Sequence, residues 1–326
     1  MSSSKILAVC GGVGGAKLAL GLYRMLPARD LVLCVNTGDD FEHLGLHVSP
    51  DLDTVMYTLA DLENPETGWG RRGETWTFMR ALETLGGKTW FRLGDGDLAT
   101  HVERTCRLRG GETLSAVTAD LARRLGITAE LLPMSDNPVR TMVETVEGTL
   151  SFQRYFVARR CEPAVRGIAF EGADRAVPNS EIIAALGSPD LRAVVICPSN
   201  PYLSVDPILA MPSLRQALAA CAAPVVAVSP VIGGRAVKGP TAKIMSELGI
   251  PLTQTSIARH YDDLIDGLVI DQSDQSEAAS LSMPVRTTRT LMTSLEDREH
   301  LARETLDFAA SLDRCARART EARRAP

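Results

Sequence analysis

Hydrophobic residues in this chain come in short unbroken blocks, separated by glycine, proline and acidic loops, with helical-period stretches between them. Lys5-Ile-Leu-Ala-Val-Cys10 is the first block, and Gly11-Gly12 ends it. A continuous apolar run of that length, stopped by glycine, reads as a strand buried on both faces of a parallel sheet. Gly11-Gly-Val-Gly-Gly15 then leads into a helical pattern over 16–25, and 31–36 is a second buried block. Strand, glycine loop, helix, strand is a βαβ unit, right-handed by rule. Helices are predicted over 53–62, 75–85, 98–108 and 114–125, and a strand over 128–133. Residues 138–188 carry a different pattern, with β-like runs at 141–145, 149–152 and 165–170. They are expected to form a smaller α+β region, about 138–190, inserted on the parallel core. Strands return at 193–197, 225–228 and 267–271, with helices over 214–221 and 240–248 and a long charged helix over 295–319.

The expected fold class is therefore α/β, a Rossmann-like, mostly parallel sheet with glycine-rich loops. A single catalytic domain over 1–310 and an Arg-rich tail over 311–326 are expected. The chain of 326 residues is long enough to bury a core without metal or disulfide staples. Its formal charge of −5 shows no basic excess, which disfavours a general nucleic-acid binder. The longest apolar tract, 217–228, is 12 residues and contains Pro224, while a membrane span needs about 20. No export signal is visible at the N-terminus, and the seven cysteines are scattered with no CxxC pair, so a reducing cytoplasm is expected.

Open α/β sheets bind ligands at the carboxyl ends of their strands. Three predicted strand ends carry unusual loops: Gly11–Gly15, Pro198-Ser-Asn-Pro201 and Ser229-Pro-Val-Ile-Gly-Gly234. Gly11, Gly12, Gly14 and Gly15 permit close backbone approach, and the helix beyond them attracts an anion. The same glycines also suit a plain tight turn, and the spacing matches neither GxxxxGK[ST] nor GxGxxG. Four carboxylates, Asp39, Asp40, Asp51 and Asp53, cluster near the second strand's end. Such oxygen donors suit Mg²⁺ beside substrate phosphates, although any one Asp there also serves as a cap or turn former. Arg92-Leu-Gly-Asp-Gly-Asp-Leu-Ala-Thr-His101 offers a planar donor fork at Arg92, and His101 either faces inward or is structural. Lys238 and Lys243 meet either phosphate or solvent. These residues imply a phosphate-bearing ligand and a divalent metal, in a nucleotide-dependent transferase.

In order, GGVGGAKL, NTGDDFEHLGLHVSPDLDTVMY, Gly68-Trp-Gly70 with Glu74-Thr-Trp76, RLGDGDLATH, LLPMSDNPVRT, CPSNPYLSVDPIL and AVSPVIGGRAVKGP span most of the chain. Together they resemble the 2-phospho-L-lactate transferase family of deazaflavin coenzyme F-420 biosynthesis. The resemblance implies a Rossmann-like homodimer using Mg²⁺. Its substrates would be the deazaflavin Fo (7,8-didemethyl-8-hydroxy-5-deazariboflavin) and a guanosine diphosphate ester of lactate, enolpyruvate or 3-phosphoglycerate. Fo's ribityl hydroxyl would attack the β-phosphorus and GMP would leave. Asp53 and Arg92 match the family's Fo-contacting positions, with Asp53 preferred over Asp51 as general base. Asp39, Asp40 and Asp51 are the metal or hydroxyl-orienting candidates. Ser199, Asn200, Gly233 and Gly234 would hold the guanosine diphosphate part. Gly96 and Val13 depart from relatives that carry Arg and Thr there, which leaves the donor acid open. Two rival readings are a non-catalytic nucleotide-sugar-binding relative, which needs no Fo pocket, and an ordinary dinucleotide oxidoreductase, which needs the missing GxGxxG.

Overall fold

The computed structural model describes residues 4–312 except 238 and 262. The predicted tail and the predicted 295–319 helix lie outside the described residues from 313 onward, as do Lys238 and Cys315. Chain order begins β1 (Lys5–Cys10), α1 (Gly12–Met25), β2 (Leu31–Val35), β3 (Phe41–His43), β4 (Leu46–Val48), α2 (Pro50–Leu59), α3 (Thr77–Thr84), α4 (Asp95–Arg109), α5 (Leu114–Arg124) and β5 (Glu130–Pro133). An antiparallel sheet follows, β6 (Arg140–Thr145), β7 (Gly148–Ser151) and β8 (Val165–Glu171), then α6 (Ser180–Leu186). The core resumes with β9 (Leu191–Ile196), α7 (Asp206–Leu209), α8 (Pro212–Ala220), β10 (Val225–Val228), β11 (Val231–Ile232) and β12 (Arg235–Ala236). It closes with α9 (Thr241–Glu247), α10 (Gln254–His260), β13 (Gly267–Asp271), β14 (Val285–Thr288) and α11 (Leu295–Ser311).

Seven strands form the central sheet in the order β14-β13-β10-β9-β1-β2-β5, every neighbouring pair parallel. Successive side chains go to opposite faces, as pleating requires. Leu7, Val9, Val32, Cys34, Val194 and Ile196 pack on one face, against α6, α8 and the inserted antiparallel sheet. Ile6, Ala8, Cys10, Leu33, Val35 and Val195 pack on the other, against α1, α2 and α11. This double burial is why the strands read as unbroken apolar blocks.

Several boundaries differ from expectation, and each difference moves chemistry. The glycines are the first turn of α1, which starts at Gly12 rather than residue 16. Helix α2 starts at Pro50, whose ring suits a first helical position, so Asp51 and Asp53 lie inside its first turn. Helix α4 starts at Asp95, taking Gly96 and Asp97 into a helix expected only from 98. The β3–β4 hairpin was not anticipated: its two turn residues, Leu44 and Gly45, have φ of 54° and 74°, and its strands are three residues each. Strand β14 is likewise too short and polar to announce itself. Pro240 is the N-cap of α9 rather than its first residue.

The glycine turn is a packing device. A Cβ on Gly14 would stand 2.2 Å from the Pro198 carbonyl oxygen, and one on Gly15 would stand 2.5 Å from Ser199 Oγ. Helix α1 can therefore seat on the loop after β9 only without side chains there. Gly14→Ala should destabilise the chain by about 1–3 kcal/mol through overpacking against backbone. An unchanged urea midpoint would show that the seam is not tight.

Candidate active site

Strands β1 and β9 lie side by side, and the chain leaves β1 towards β2 on one side and β9 towards β10 on the other. That is the switch point of a doubly wound sheet, where the carboxyl ends open a crevice. Gly11 donates its N–H to Ser199 Oγ at 3.2 Å, and Gly12, at φ 62°, donates to Asp51 Oδ1 at 2.8 Å. Asn200 Oδ1 accepts from the N–H groups of Tyr202 and Leu203, capping the turn at Pro201–Val205, while its buried Nδ2 has no partner. Ser199, Asn200 and the glycine turn thus come together at the crevice. Gly233 and Gly234 sit on the β11–β12 hairpin beyond β10, and both donate to Asp274, at 2.9 and 3.1 Å. Lys17 of the glycine motif donates to the Met292 carbonyl oxygen, and Lys243 to Glu247 and the Pro163 carbonyl oxygen.

The loop after β2 brings Asp39 and Asp40, and the first turn of α2 brings Asp51, into the crevice floor. Asp39, Asp40 and Asp51 are 6%, 2% and 6% exposed. Asp51 accepts from Gly12 and, at Oδ2, from Asn36 Nδ2 at 2.9 Å. Asp40 Oδ2 accepts from Ser49 Oγ at 2.8 Å and lies 3.0 Å from His47 Nε2. Oδ1 of Asp39 and Oδ1 of Asp40 are buried without a partner, as is the hydroxyl of Thr37. Among the described residues none of the three carboxylates forms an ion pair with Lys or Arg. Burial, and then repulsion from Asp51 and Asp40, pushes the Asp39 carboxyl well above the usual range. Burial likewise pushes Asp51 up to about 6, against the hydrogen bonds from Asn36 and Gly12. Asp39 and Asp40, each with one buried unpartnered oxygen, and Asp51 beside them form an oxygen donor set without a Lys or Arg partner among the described residues, which suits Mg²⁺.

Asp53 faces a different environment. Its two oxygens both accept from the guanidinium of Arg104, a residue 1% exposed. His101 Nδ1 lies 3.6 Å from Asp53 and its Nε2 3.2 Å from Asp97. Tyr57 OH donates to Asp97 at 2.7 Å and lies 2.8 Å from the Thr100 hydroxyl. Burial alone would raise Asp97, but the hydrogen bond and charge of His101, with Tyr57, bring it below the usual range. Asp53, Asp97 and His101 place ligand atoms within 4.8 Å of one another, as a metal site would. Arg104 already neutralises Asp53, so the cation deficit lies with Asp39, Asp40 and Asp51 instead. Sequence reasoning missed Asp97 and Arg104 as partners, although Asp97, His101 and Arg104 recur at the i, i+4, i+7 spacing of one helix face.

Arg92 is exposed, its guanidinium stacked 4.2 Å from the centre of the Trp76 ring. The N-terminus of α4 holds a carboxylate of the protein itself, Glu74, which accepts from the N–H groups of Gly96 and Asp97 at 2.7 Å each. Phe41, His43, Trp90 and Phe91 form an aromatic cluster, with Phe41 and Phe91 in edge contact at 4.8 Å and the Arg154 guanidinium over the Trp90 ring.

Fold and crevice together define a doubly wound α/β protein with buried carboxylates at its switch point. The chain belongs to the 2-phospho-L-lactate transferase CofD family, whose pattern matches residues 6–307. It is 40% identical to the phosphoenolpyruvate transferase of Streptomyces griseus over 94% of this chain and 98% of that one. It is 37% identical to the 2-phospho-L-lactate transferase of Methanosarcina mazei over 90% of this chain and 96% of that one. A solved member of the UPF0052 family from Bacillus halodurans shares the fold, with a TM-score of 0.62, 14% identity, and 94% and 99% of the two chains covered.

Two outcomes follow from the electrostatics. Asp51 binds its proton more tightly in the fold, at about 6, than at its ordinary value of 3.8. Its stabilising contribution is therefore full below about pH 4 and lost as pH rises through 6. In EDTA, Asp51→Asn should remove that part of the pH dependence of unfolding; parallel wild-type and variant curves would contradict it. Arg104→Ala, by stranding buried Asp53, should cost about 3–5 kcal/mol. Adding Asp53→Asn should recover most of that cost, and a single-variant loss under about 1 kcal/mol would contradict the pairing.

Proposed function

We propose that this chain transfers a phospho-acid group from its guanosine diphosphate ester to the ribityl hydroxyl of Fo, releasing GMP, in coenzyme F-420 biosynthesis. The observation that carries this reading is the pair Asp39 and Asp40, each buried with an unpartnered oxygen beside Asp51 at the switch point, in a chain of this family. The hydroxyl oxygen forms a bond to the β-phosphorus, and the bond from that phosphorus to the bridging oxygen breaks. GMP leaves with that oxygen, and the hydroxyl proton goes to a carboxylate. In such reactions the protein chiefly positions groups and neutralises developing charge.

Asp39 and Asp40, with Asp51 behind them, would hold Mg²⁺, which when bound supplies positive charge to the transferring phosphoryl oxygens. Asp51, raised to about 6, is poised to receive a proton near neutral pH. Asp53, its oxygens taken by Arg104, keeps α2 and α4 in register beside the acceptor. The aromatic cluster and Arg92 suit the tricyclic ring of Fo. Val13 and Gly14 have first-turn N–H groups without intrahelical partners, which suits a diphosphate. The acid is lactate, enolpyruvate or phosphoglycerate.

Fo, Mg²⁺ and the three guanylylated acids, offered side by side and read by mass spectrometry, test this directly. The expected product is Fo plus one phospho-acid, with equimolar GMP. EDTA should abolish it, and Asp39→Asn should lower turnover about a hundredfold, the scale of losing about 2.7 kcal/mol of charge stabilisation. No product from any of the three donors would reject the reading.

A further inference from the structure

Two thiols with no part in the proposed chemistry stand at the carboxyl ends of the two strands that flank the switch point. Cys10 is the last residue of β1, and Cys197 follows the last residue of β9. The parallel register pairs Val9 with Ile196, and the Cys197 N–H donates to the Val9 carbonyl oxygen at 2.9 Å. The next step along both strands therefore sets Cys10 beside Cys197. Their side chains enter the same face of the sheet, with Ala8 and Val195, whereas Cys34 of β2 packs on the opposite face. Both are free thiols, 0% and 1% exposed. Adjacent strands stand about 4.7–4.9 Å apart, inside the roughly 4.4–6.8 Å between Cα atoms that a disulfide bridges.

We infer that Cys10 and Cys197 are an oxidation site, a dithiol whose conversion to a disulfide frees Asp51 from the glycine turn. With a peroxide, one thiol attacks an oxygen and gives a sulfenic acid and water. The second thiol attacks that sulfur, and a second water leaves. Two thiols are oxidised and one peroxide is reduced, with no other reactant. The bond asks for Cβ atoms about 3.8 Å apart, against a strand spacing of about 4.8 Å, so the strand ends must draw together. The packing has no slack for that. Helix α1 already touches the loop after Cys197 at Gly14 and Gly15, where a Cβ would stand 2.2 Å from the Pro198 carbonyl oxygen and 2.5 Å from Ser199 Oγ. Closing the strand ends presses that loop on the first turn of α1, and the turn must lift. The bonds it then gives up are Gly11 to Ser199 Oγ and Gly12 to Asp51 Oδ1. Burial keeps both thiols protonated, which makes the oxidation slow. The inference stands on register and packing, apart from the transfer reaction proposed above.

Trypsin places the two thiols in separate peptides, 6–17 and 193–215, each with a single cysteine. The full chain is incubated with hydrogen peroxide and digested without reductant. Mass spectrometry should find these two peptides joined with the loss of two hydrogens, and dithiothreitol should part them. Amide hydrogen exchange over the Gly11–Gly15 turn should be about tenfold faster or more in the oxidised chain, and dithiothreitol should restore the slow rate. Cys197→Ala should lose both the joined peptides and the peroxide-dependent exchange, while Cys34→Ala keeps both. Unjoined peptides when the exposed Cys106 is fully oxidised, or a link from Cys10 to Cys34, overturns the pair. Joined peptides with unchanged exchange at Gly12 overturn the release of Asp51.

Discussion

Negative charge held out of water without a cation beside it is the constraint on which the crevice depends. Asp39, Asp40 and Asp51 are each almost fully buried, and among the described residues no Lys or Arg pairs with them; Asp40 has the His47 imidazole at 3.0 Å. Ionised carboxylates in such surroundings are costly, and proteins relieve the cost by protonation or by binding a cation. The glycine turn and Asn36 tie Asp51 in place, so it cannot swing out to water. Nearby, Asp53 has the opposite solution, a buried guanidinium gripping both oxygens. One acidic motif, Ser49-Pro-Asp-Leu-Asp53, thus supplies two carboxylates two residues apart with different tasks. One is locked to the crevice floor, and the other joins α2 to α4.

Much of this was legible in the chain because the sheet is buried on both faces. Double burial makes each parallel strand an apolar block, and the glycine, Pro198–Pro201 and Ser229–Gly234 loops mark where those blocks end. The acidic cluster was visible because Asp39, Asp40, Asp51 and Asp53 crowd into one short stretch. What stayed hidden depended on contacts distant in sequence. Arg104 reads as one more charge on an exposed helix until α4 folds over α2. The β3–β4 hairpin, after which His47 reaches Asp40, is too short for alternation to show. The amides of Gly233 and Gly234 looked free because Asp274 lies about forty residues away in sequence.

Glycine has two meanings here, and structure separates them. Flexible loops cradle phosphate by exposing N–H groups. The Gly11–Gly15 turn commits its first two to Ser199 and Asp51 and uses its missing side chains to let α1 touch the loop after β9. The anion-attracting end of α1 is built into the carboxylate lock, so any phosphate meeting Val13 and Gly14 is held next to Asp51. The N-terminus of α4 is already occupied by Glu74.

The central claim is that the buried carboxylate group is completed by a divalent cation. Calorimetric titration of Mg²⁺ into the chain with guanosine diphosphate present, for wild type, Asp39→Asn and Asp53→Asn, tests it most directly. The account predicts one Mg²⁺ per chain, bound by wild type, lost in Asp39→Asn and kept in Asp53→Asn, whose carboxylate is served by Arg104. Unaltered Mg²⁺ binding by Asp39→Asn, or its loss in Asp53→Asn alone, would contradict it.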